Sequence, residues 1–264
     1  MPQYLRAKKS LGQNFLTCPW VISDIISAAR LSPDDTILEI GPGTGVLTRP
    51  LAARVKKVIA VEKDEQLART LTRQLQSEKI TNVTVYEGDI LTYTPPLPDT
   101  YKIVANIPYY LTARLLRIFL EKQEKKPSDI VLTIQKEVAE RIIAQPPHGN
   151  LLGLSVQVFG TPRIIKIVPA SCFSPKPKVD SAIISISDIS DKFFLSHHIE
   201  KDIFFQLART AFTQQRKMLT NSLSNITSPK HIKSALDAIG LSPRARPQEL
   251  HKEQWAELVL AIKK

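Results

Sequence analysis

The chain of 264 residues predicts an α/β fold: a mostly parallel sheet with helices on both faces and an antiparallel end, followed by a small all-α domain. Three observations predict it. Apolar runs rich in Val and Ile alternate with helical patterns from about Ser32 to Gln145. These runs show little period-two alternation, as strands buried on both faces do. Beyond Asp188 the strand signal stops.

Taken in order, TILEI (36–40), KVIAVE (57–62), VTVYEG (83–88), KIVAN (102–106) and DIVLTI (129–134) read as strands. Between them VLTRPLAARV, EQLARTLTRQL and TARLLRIFLEK carry apolar residues at spacings of three and four, so they read as helices. Such alternation implies parallel strands. LSVQVFG (154–160), PRIIKIVP (162–169) and SAIISIS (181–187) then lie too close together for crossover helices, which predicts antiparallel strands. Segments 199–212, 214–224, 230–239 and 248–262 read as helices, bounded by Ser228-Pro229, Gly240 and Ser242-Pro243-Arg244. The expected domains are 1–188 and 189–264.

Composition narrows the function classes. A hydrophobic share of 43% suits an ordinary globular protein, and no apolar run reaches the ~18 residues of a membrane span. The first fifteen residues are basic and acid-free, but they lack the apolar core of a secretory signal and lead straight into a motif. Two cysteines, Cys18 and Cys172, are too few for a disulfide framework and form no CxxC pair. The five histidines have no ligand spacing, and His197-His198 reads as a solvated pair, so no metal is expected. A reducing, cytoplasmic compartment fits these residues. The net charge of +11 is spread along the chain and favours a polyanionic partner.

Three of the nine glycines fall in Glu39-Ile40-Gly41-Pro42-Gly43-Thr44-Gly45, between the first strand and a helix. Glycines there allow a sharp turn and close approach to a ligand. Glu62 ends the second strand about twenty residues on, where a carboxylate can grip both hydroxyls of a ribose. These features predict a nucleoside cofactor. The usual NAD fingerprint has a small residue where this chain has Val46. Glu39 before the first glycine instead resembles the S-adenosylmethionine loop of class I methyltransferases, and their Rossmann-like sheet is the fold expected. Asp89, after Gly88 at the end of the third strand, stands where those enzymes hold the adenine amine. By the same resemblance Lys63 and Ile90, beside the two acids, are expected in the cofactor set.

The fourth strand runs into Asn106-Ile107-Pro108-Tyr109. An exocyclic amine is a poor nucleophile because its lone pair is delocalised. The Asn106 side-chain carbonyl and the Ile107 backbone carbonyl can draw on its two N–H groups and localise that pair. Pro108 has no N–H and a fixed φ, so it stiffens the turn, and Tyr109 offers a ring for stacking. The bland alternative is a turn whose aromatics pack on the core.

Similar tetrapeptides occur in amine methyltransferases acting on DNA, glutamine and RNA. Two further stretches narrow the choice: Lys8-Lys9-Ser10-Leu11-Gly12-Gln13-Asn14-Phe15-Leu16 and Phe173-Ser174-Pro175-Lys176-Pro177-Lys178-Val179. With the Asn-Ile-Pro-Tyr turn and Arg216-Lys217 and Asn221, they make nearly the whole chain resemble the bacterial small-subunit (16S) rRNA adenine N6,N6-dimethyltransferases. The resemblance implies methylation of two adjacent adenosines in the 3′-terminal hairpin loop of small-subunit rRNA, with S-adenosyl-L-methionine as cofactor. It places Asn14, Leu16 and Gly41 at the methionine end of the cofactor, and Tyr109 and Phe173 on either side of the target base. Lys8, Lys9, Lys176, Lys178, Arg216 and Lys217 become the candidate RNA contacts. The implied partners are small-subunit rRNA and the immature small ribosomal subunit, met by a monomer away from any membrane.

The chain departs from the family pattern at Ser10, Leu11, Gln215 and Ser242, which bears on RNA docking and not on the chemistry. Two rival readings are a 23S rRNA adenine N6-methyltransferase and a non-catalytic RNA-binding assembly factor. The stretch ARTAFTQQRKMLTNSL favours the small-subunit enzyme over the first. The intact acids and glycines of the loop speak against the second.

Overall fold

A computed structural model describes residues 8, 11–93 and 95–263. Its elements, in chain order, begin with β1 (Phe15–Leu16), α1 (Pro19–Ala28), β2 (Thr36–Ile40), α2 (Thr48–Ala52), β3 (Lys57–Glu62), α3 (Glu65–Ser77), β4 (Val83–Glu87) and β5 (Lys102–Asn106). There follow α4 (Thr112–Leu116), β6 (Asp129–Gln135), α5 (Lys136–Ile143), α6 (Leu151–Gln157), β7 (Thr161–Val168), β8 (Phe173–Ser174) and β9 (Ser181–Ser187). The chain closes with α7 (Lys192–Ser196), α8 (Lys201–Thr213), α9 (Leu219–Ser222), α10 (Pro229–Ala238) and α11 (Lys252–Lys263).

Among the described residues the main sheet has seven strands in the order β4-β3-β2-β5-β6-β9-β7. The first five are parallel; β9 runs antiparallel to both β6 and β7. This is the predicted Rossmann-like arrangement with its antiparallel end. The central strands are buried almost throughout, which explains their unbroken apolar runs. On one face Val21 and Ile25 of α1 pack with Ile37, Val104, Val131 and Ile183. α3, joined to α2 through Arg49 and Gln74 at 3.1 Å, buries Leu67, Leu71 and Leu75. Its first turn is capped by Asp64, whose carboxylate accepts from the Gln66 and Leu67 N–H groups, an arrangement worth ~1 kcal/mol.

Three differences from the sequence reading have local causes. LSVQVFG does not form a strand: it belongs to α6, where the Asn150 side chain accepts from Gly153 N–H and starts a helix. The helix predicted over 214–224 shrinks to α9, because the chain turns through Gln214–Lys217 first. The helix of TARLLRIFLEK begins as α4 and finishes as a wide π-type turn, Arg117–Lys122.

The chain divides into two compact units. The first runs to Ala139 and resumes over Thr161–Ile189; the second comprises Glu140–Gly160 and the chain from Ser190 onward. The sequence reading placed 140–160 with the sheet, but an aromatic core draws it into the helical unit. Phe159, just past α6, lies with its ring 5.3 Å from Phe194 and 6.0 Å from Phe205. Cys18 and Cys172, which the sequence reading did not pair, are joined by a disulfide. No described helix is long and apolar enough to cross a membrane.

Candidate functional site

The carboxyl ends of β2, β3 and β5 and the segment after β4 open onto one cleft in the first unit. Along one side lie Glu39, Gly41, Gly43, Glu62 and Lys63, then Asp89 and Ile90. Along the other lie Asn106 to Tyr109, with Phe173. Asn14 and Leu16, from the N-terminal segment, complete the wall.

The glycine loop takes its shape from backbone that only glycine adopts readily. Gly41 has φ +67°, and a Cβ there would meet no protein atom within 4 Å; it faces open space that a ligand can fill. Gly43 has φ +59°, and a Cβ would come within 3.0 Å of the Phe15 ring. Its N–H donates to Glu62 Oε2 at 3.0 Å. Gly45 does not line the cleft; a Cβ there would collide with Arg49 and Leu71, so its role is packing.

Glu62 is held from two sides, since its Oε1 also accepts from Asp64 N–H at 2.9 Å. Burial raises its pKa, the two backbone donors offset part of that rise, and the Asp64 charge adds to it. Asp89 accepts from Lys63 Nζ at 2.8 Å and from Leu91 N–H at 3.0 Å. Partial burial works to raise its pKa, but the ammonium and the N–H outweigh it, and the carboxyl sits below its usual range. Glu39 is the buried acid of the site, 1% exposed. Burial pushes it up to about 8, Thr48 lowers it only in part, and Glu62 adds to the rise. Its Oε2 has no hydrogen-bond partner among the described residues. An unpartnered buried carboxyl, an open glycine cradle and two fixed acids fit a cationic nucleoside cofactor.

On the opposite side Asn106 Nδ2 donates to the Asn14 carbonyl at 3.0 Å. The amide nitrogen is thereby engaged, and Asn106, which lines the cleft, is left with Oδ1 as an acceptor. Pro108, with φ −55° and ψ 135°, leads into a 3-10 turn over Tyr109–Leu111, which Thr112 Oγ1 secures by donating to the Tyr109 carbonyl at 3.1 Å. The Tyr109 hydroxyl lies 2.8 Å from Ser181 Oγ. Burial raises its pKa; the Ser181 contact opposes and the Asp180 charge reinforces that rise. Phe173 is buried but contributes to the cleft wall.

Two site residues escaped the sequence reading. Asp64 anchors the N-terminal segment across the cleft: Lys8 Nζ approaches it to 2.9 Å and Gln13 Nε2 to 3.3 Å. The Asp-Glu-Gln signature of a helix cap marks Asp64 in the sequence, although not this second use. Ser181, fully buried, holds the Tyr109 hydroxyl, and nothing in SAIISIS singles it out. Of the expected RNA contacts, Lys176 and Lys178 are exposed after β8, and Arg216 and Lys217 are exposed in the turn between α8 and α9 of the second unit. Lys8 is paired with Asp64, and Lys9 lies outside the described residues. Among the described residues no group of three or more His, Cys, Asp and Glu is placed to hold a metal ion.

Comparison with known proteins agrees with this geometry. The family of ribosomal RNA adenine dimethylases matches residues 4–264. The chain is 41% identical to the ribosomal RNA small subunit methyltransferase A of Dehalococcoides mccartyi, covering 97% of this chain and 88% of that protein. The Clostridium botulinum protein of the same name is 37% identical, with 95% and 92% covered. Among solved structures, a dimethyladenosine transferase from Plasmodium falciparum superposes with a TM-score of 0.81 at 28% identity, over 93% of this chain and 96% of that one. The 23S rRNA methyltransferase ErmE gives 0.75 at 28% identity, over 95% and 100%.

Proposed function

The chain belongs to the ribosomal RNA adenine dimethylase family, an S-adenosylmethionine-dependent rRNA adenine dimethyltransferase, and from that premise we propose that it dimethylates the N6 amines of two adjacent adenosines in the 3′-terminal hairpin loop of small-subunit rRNA. The observation that carries the reading is the orientation of Asn106. Its amide N–H₂ is engaged by the Asn14 carbonyl, so Oδ1 is the end that accepts from a target amine. With the Ile107 carbonyl as second acceptor, the lone pair of N6 is localised for attack.

The bound cofactor supplies an electrophilic methyl on a sulfonium. Glu62 would hold its ribose hydroxyls, Asp89 with the Ile90 backbone its adenine, and Lys63 keeps Asp89 ionised. Gly41 and Gly43 admit its methionine portion, with Asn14 and Leu16 closing over that end. Glu39 beneath offers a carboxyl to a ligand that carries positive charge. Tyr109 and Phe173 would stack on the two faces of the adenine, which must leave its loop to enter the cleft. Once one methyl is on N6, a single N–H remains for the two acceptors. Stacking, worth about 1–3 kcal/mol per base, tolerates the in-plane rotation that a second transfer needs.

The choice of small-subunit rRNA is supported by the 41% and 37% identities to small-subunit enzymes, against 28% to ErmE. The basic residues Lys176, Lys178, Arg216 and Lys217 supply phosphate contacts, so binding should weaken steeply with salt. We take the partner to be the immature small ribosomal subunit, met in the cytoplasm by a monomer. Incubation with labelled methyl donor and small-subunit particles lacking the modification, followed by mapping and mass spectrometry of the digested rRNA, tests this. Dimethyladenosine at two adjacent positions of the 3′ hairpin is the expected product. Monomethyladenosine alone, or label on large-subunit rRNA, would overturn the reading.

A further inference from the structure

Cys18 and Cys172, the two cysteines of the chain, are bonded across 154 positions of sequence. The bond sits at the end of the ribbon formed by β1 and β8. There Leu16 pairs with Phe173 and Phe15 with Ser174, and Thr17 N–H donates to the Cys172 carbonyl at 2.9 Å. Each strand of the ribbon is two residues long, a length at which strand pairing alone is marginal. Yet the ribbon meets the cleft at three points. Phe15 lies over Gly43, Asn14 just before β1 accepts the Asn106 amide, and Phe173 follows Cys172 directly.

We propose that Cys18–Cys172 is a redox-reversible modification site whose substrate is a dithiol reductant, and that the bond holds Asn14 and Phe173 in place for methyl transfer. Cys18 is partly exposed and Cys172 is buried, so exchange begins at the Cys18 sulfur. A thiolate of the reductant bonds to Cys18 Sγ, and Cys172 Sγ leaves with the bonding pair and takes up a proton. The second thiolate of the reductant then displaces Cys18, which is protonated in turn. Two electrons and two protons pass to the cysteines, and the dithiol becomes a disulfide. Leu16, Cys172 and Phe173 belong to the core packed on α1. The reduced protein therefore stays folded and loses only the tie that sets the ribbon's register. Glu62 and Asp89 sit on other strands and keep their backbone donors in either state. A reducing cytoplasm and a disulfide at the active site are then compatible: one is the setting, the other a reversible state.

This inference rests on the proposed roles of Asn106 and Phe173, and the two fail differently. The full-length protein is divided, one half reduced with dithiothreitol and the other oxidised with oxidised glutathione, and both are freed of reagent. Alkylation and mass spectrometry count the thiols. Single-turnover methylation of unmodified small-subunit particles and calorimetric binding of the methyl donor are then measured. The oxidised form should show no alkylatable thiol and the reduced form two. The oxidised form should transfer methyl at least about fivefold faster, within the up to ~100-fold that a 1 Å misplacement can cost, with a smaller change in donor affinity, because Asn14 and Leu16 also line the cofactor end of the cleft. Reoxidation should restore the rate, and Cys18→Ala should behave as the reduced form under either treatment. Equal rates for the two wild-type forms would overturn the proposal, as would slowing of Cys18→Ala by the reductant. The wild-type comparison stands even if the variant does not fold. If neither form methylates the particles, the functional reading fails instead.

Discussion

On the cofactor side of the cleft Glu62 and Asp89 leave neighbouring strands, and each accepts from the N–H group two residues further on, Asp64 for Glu62 and Leu91 for Asp89, with Gly43 as a second donor to Glu62. The target side is assembled from afar. Asn106 is oriented by Asn14, 92 positions away, Tyr109 by Ser181, 72 positions away, and Phe173 follows a cysteine tied across 154. Most of one wall forms from β2, β3 and β4 and the segments that leave them. The other exists only when the ribbon, β5 and β9 are all in place. Substitutions should therefore separate cofactor binding from transfer, and the side of the cleft should predict which of them suffers.

The largest effect is expected at Asn106. Asn106→Ala removes the acceptor proposed to act in the transition state, so the single-turnover rate should fall by roughly 10²–10³ while rRNA affinity is little changed. A wild-type rate would remove the distinction between the walls. Next comes Glu39, whose carboxyl is pushed up to about 8 in the fold. Between its unfolded pKa and that value the native state binds the extra proton, so stability without cofactor should decline from about pH 5 to pH 8, by on the order of 3 kcal/mol. Glu39→Gln should flatten that slope in thermal melts; an unchanged slope would show that other groups set it.

On the cofactor side, Glu62→Ala deletes the two charge-assisted contacts proposed for the ribose, worth roughly 1.5–3 kcal/mol each. Donor affinity should drop at least about tenfold by calorimetry, with rRNA affinity retained. Loss of both together would mean that the walls are not independent. The smallest effect belongs to Ser181→Ala. Losing one neutral hydrogen bond to Tyr109 should slow transfer about two- to tenfold and leave donor affinity alone. Tyr109→Phe should cost a similar amount, and the double mutant little more, as one shared contact requires.

The same division governs how much the sequence revealed. The glycine loop, Glu62 and Asp89 are legible because short-range spacing and strand ends encode them, and the strand runs themselves match the sheet closely. Asn106 and Tyr109 are legible through the turn that Pro108 stiffens. Ser181 and the Cys18–Cys172 bond are not, because each matters only through a neighbour that tertiary packing supplies. LSVQVFG misleads for a related reason. Leu154, Val156 and Val158 mimic the period of a strand, while the Asn150 cap and the aromatic contacts of Phe159 decide for a helix. Arg216 and Lys217 keep their charge and exposure, but they stand in a turn where a helix was expected.

The reversal of β9 changes which stretch of chain can reach the cleft. In a parallel sheet a ligand lies at the carboxyl ends of the strands, so the segments leaving the strands carry the site. Because β9 runs the other way, its first residue, Ser181, lies opposite Gln135, the last of β6. For this strand it is the entering segment, from Cys172 to Ser181, that stands at the working edge. A mutational survey that scanned only the exits of strands would miss that segment. Any lengthening or shortening between β7 and β9 would alter the cleft beside Phe173 and Ser181, whereas the same change after Ser187 falls at the opposite edge of the sheet.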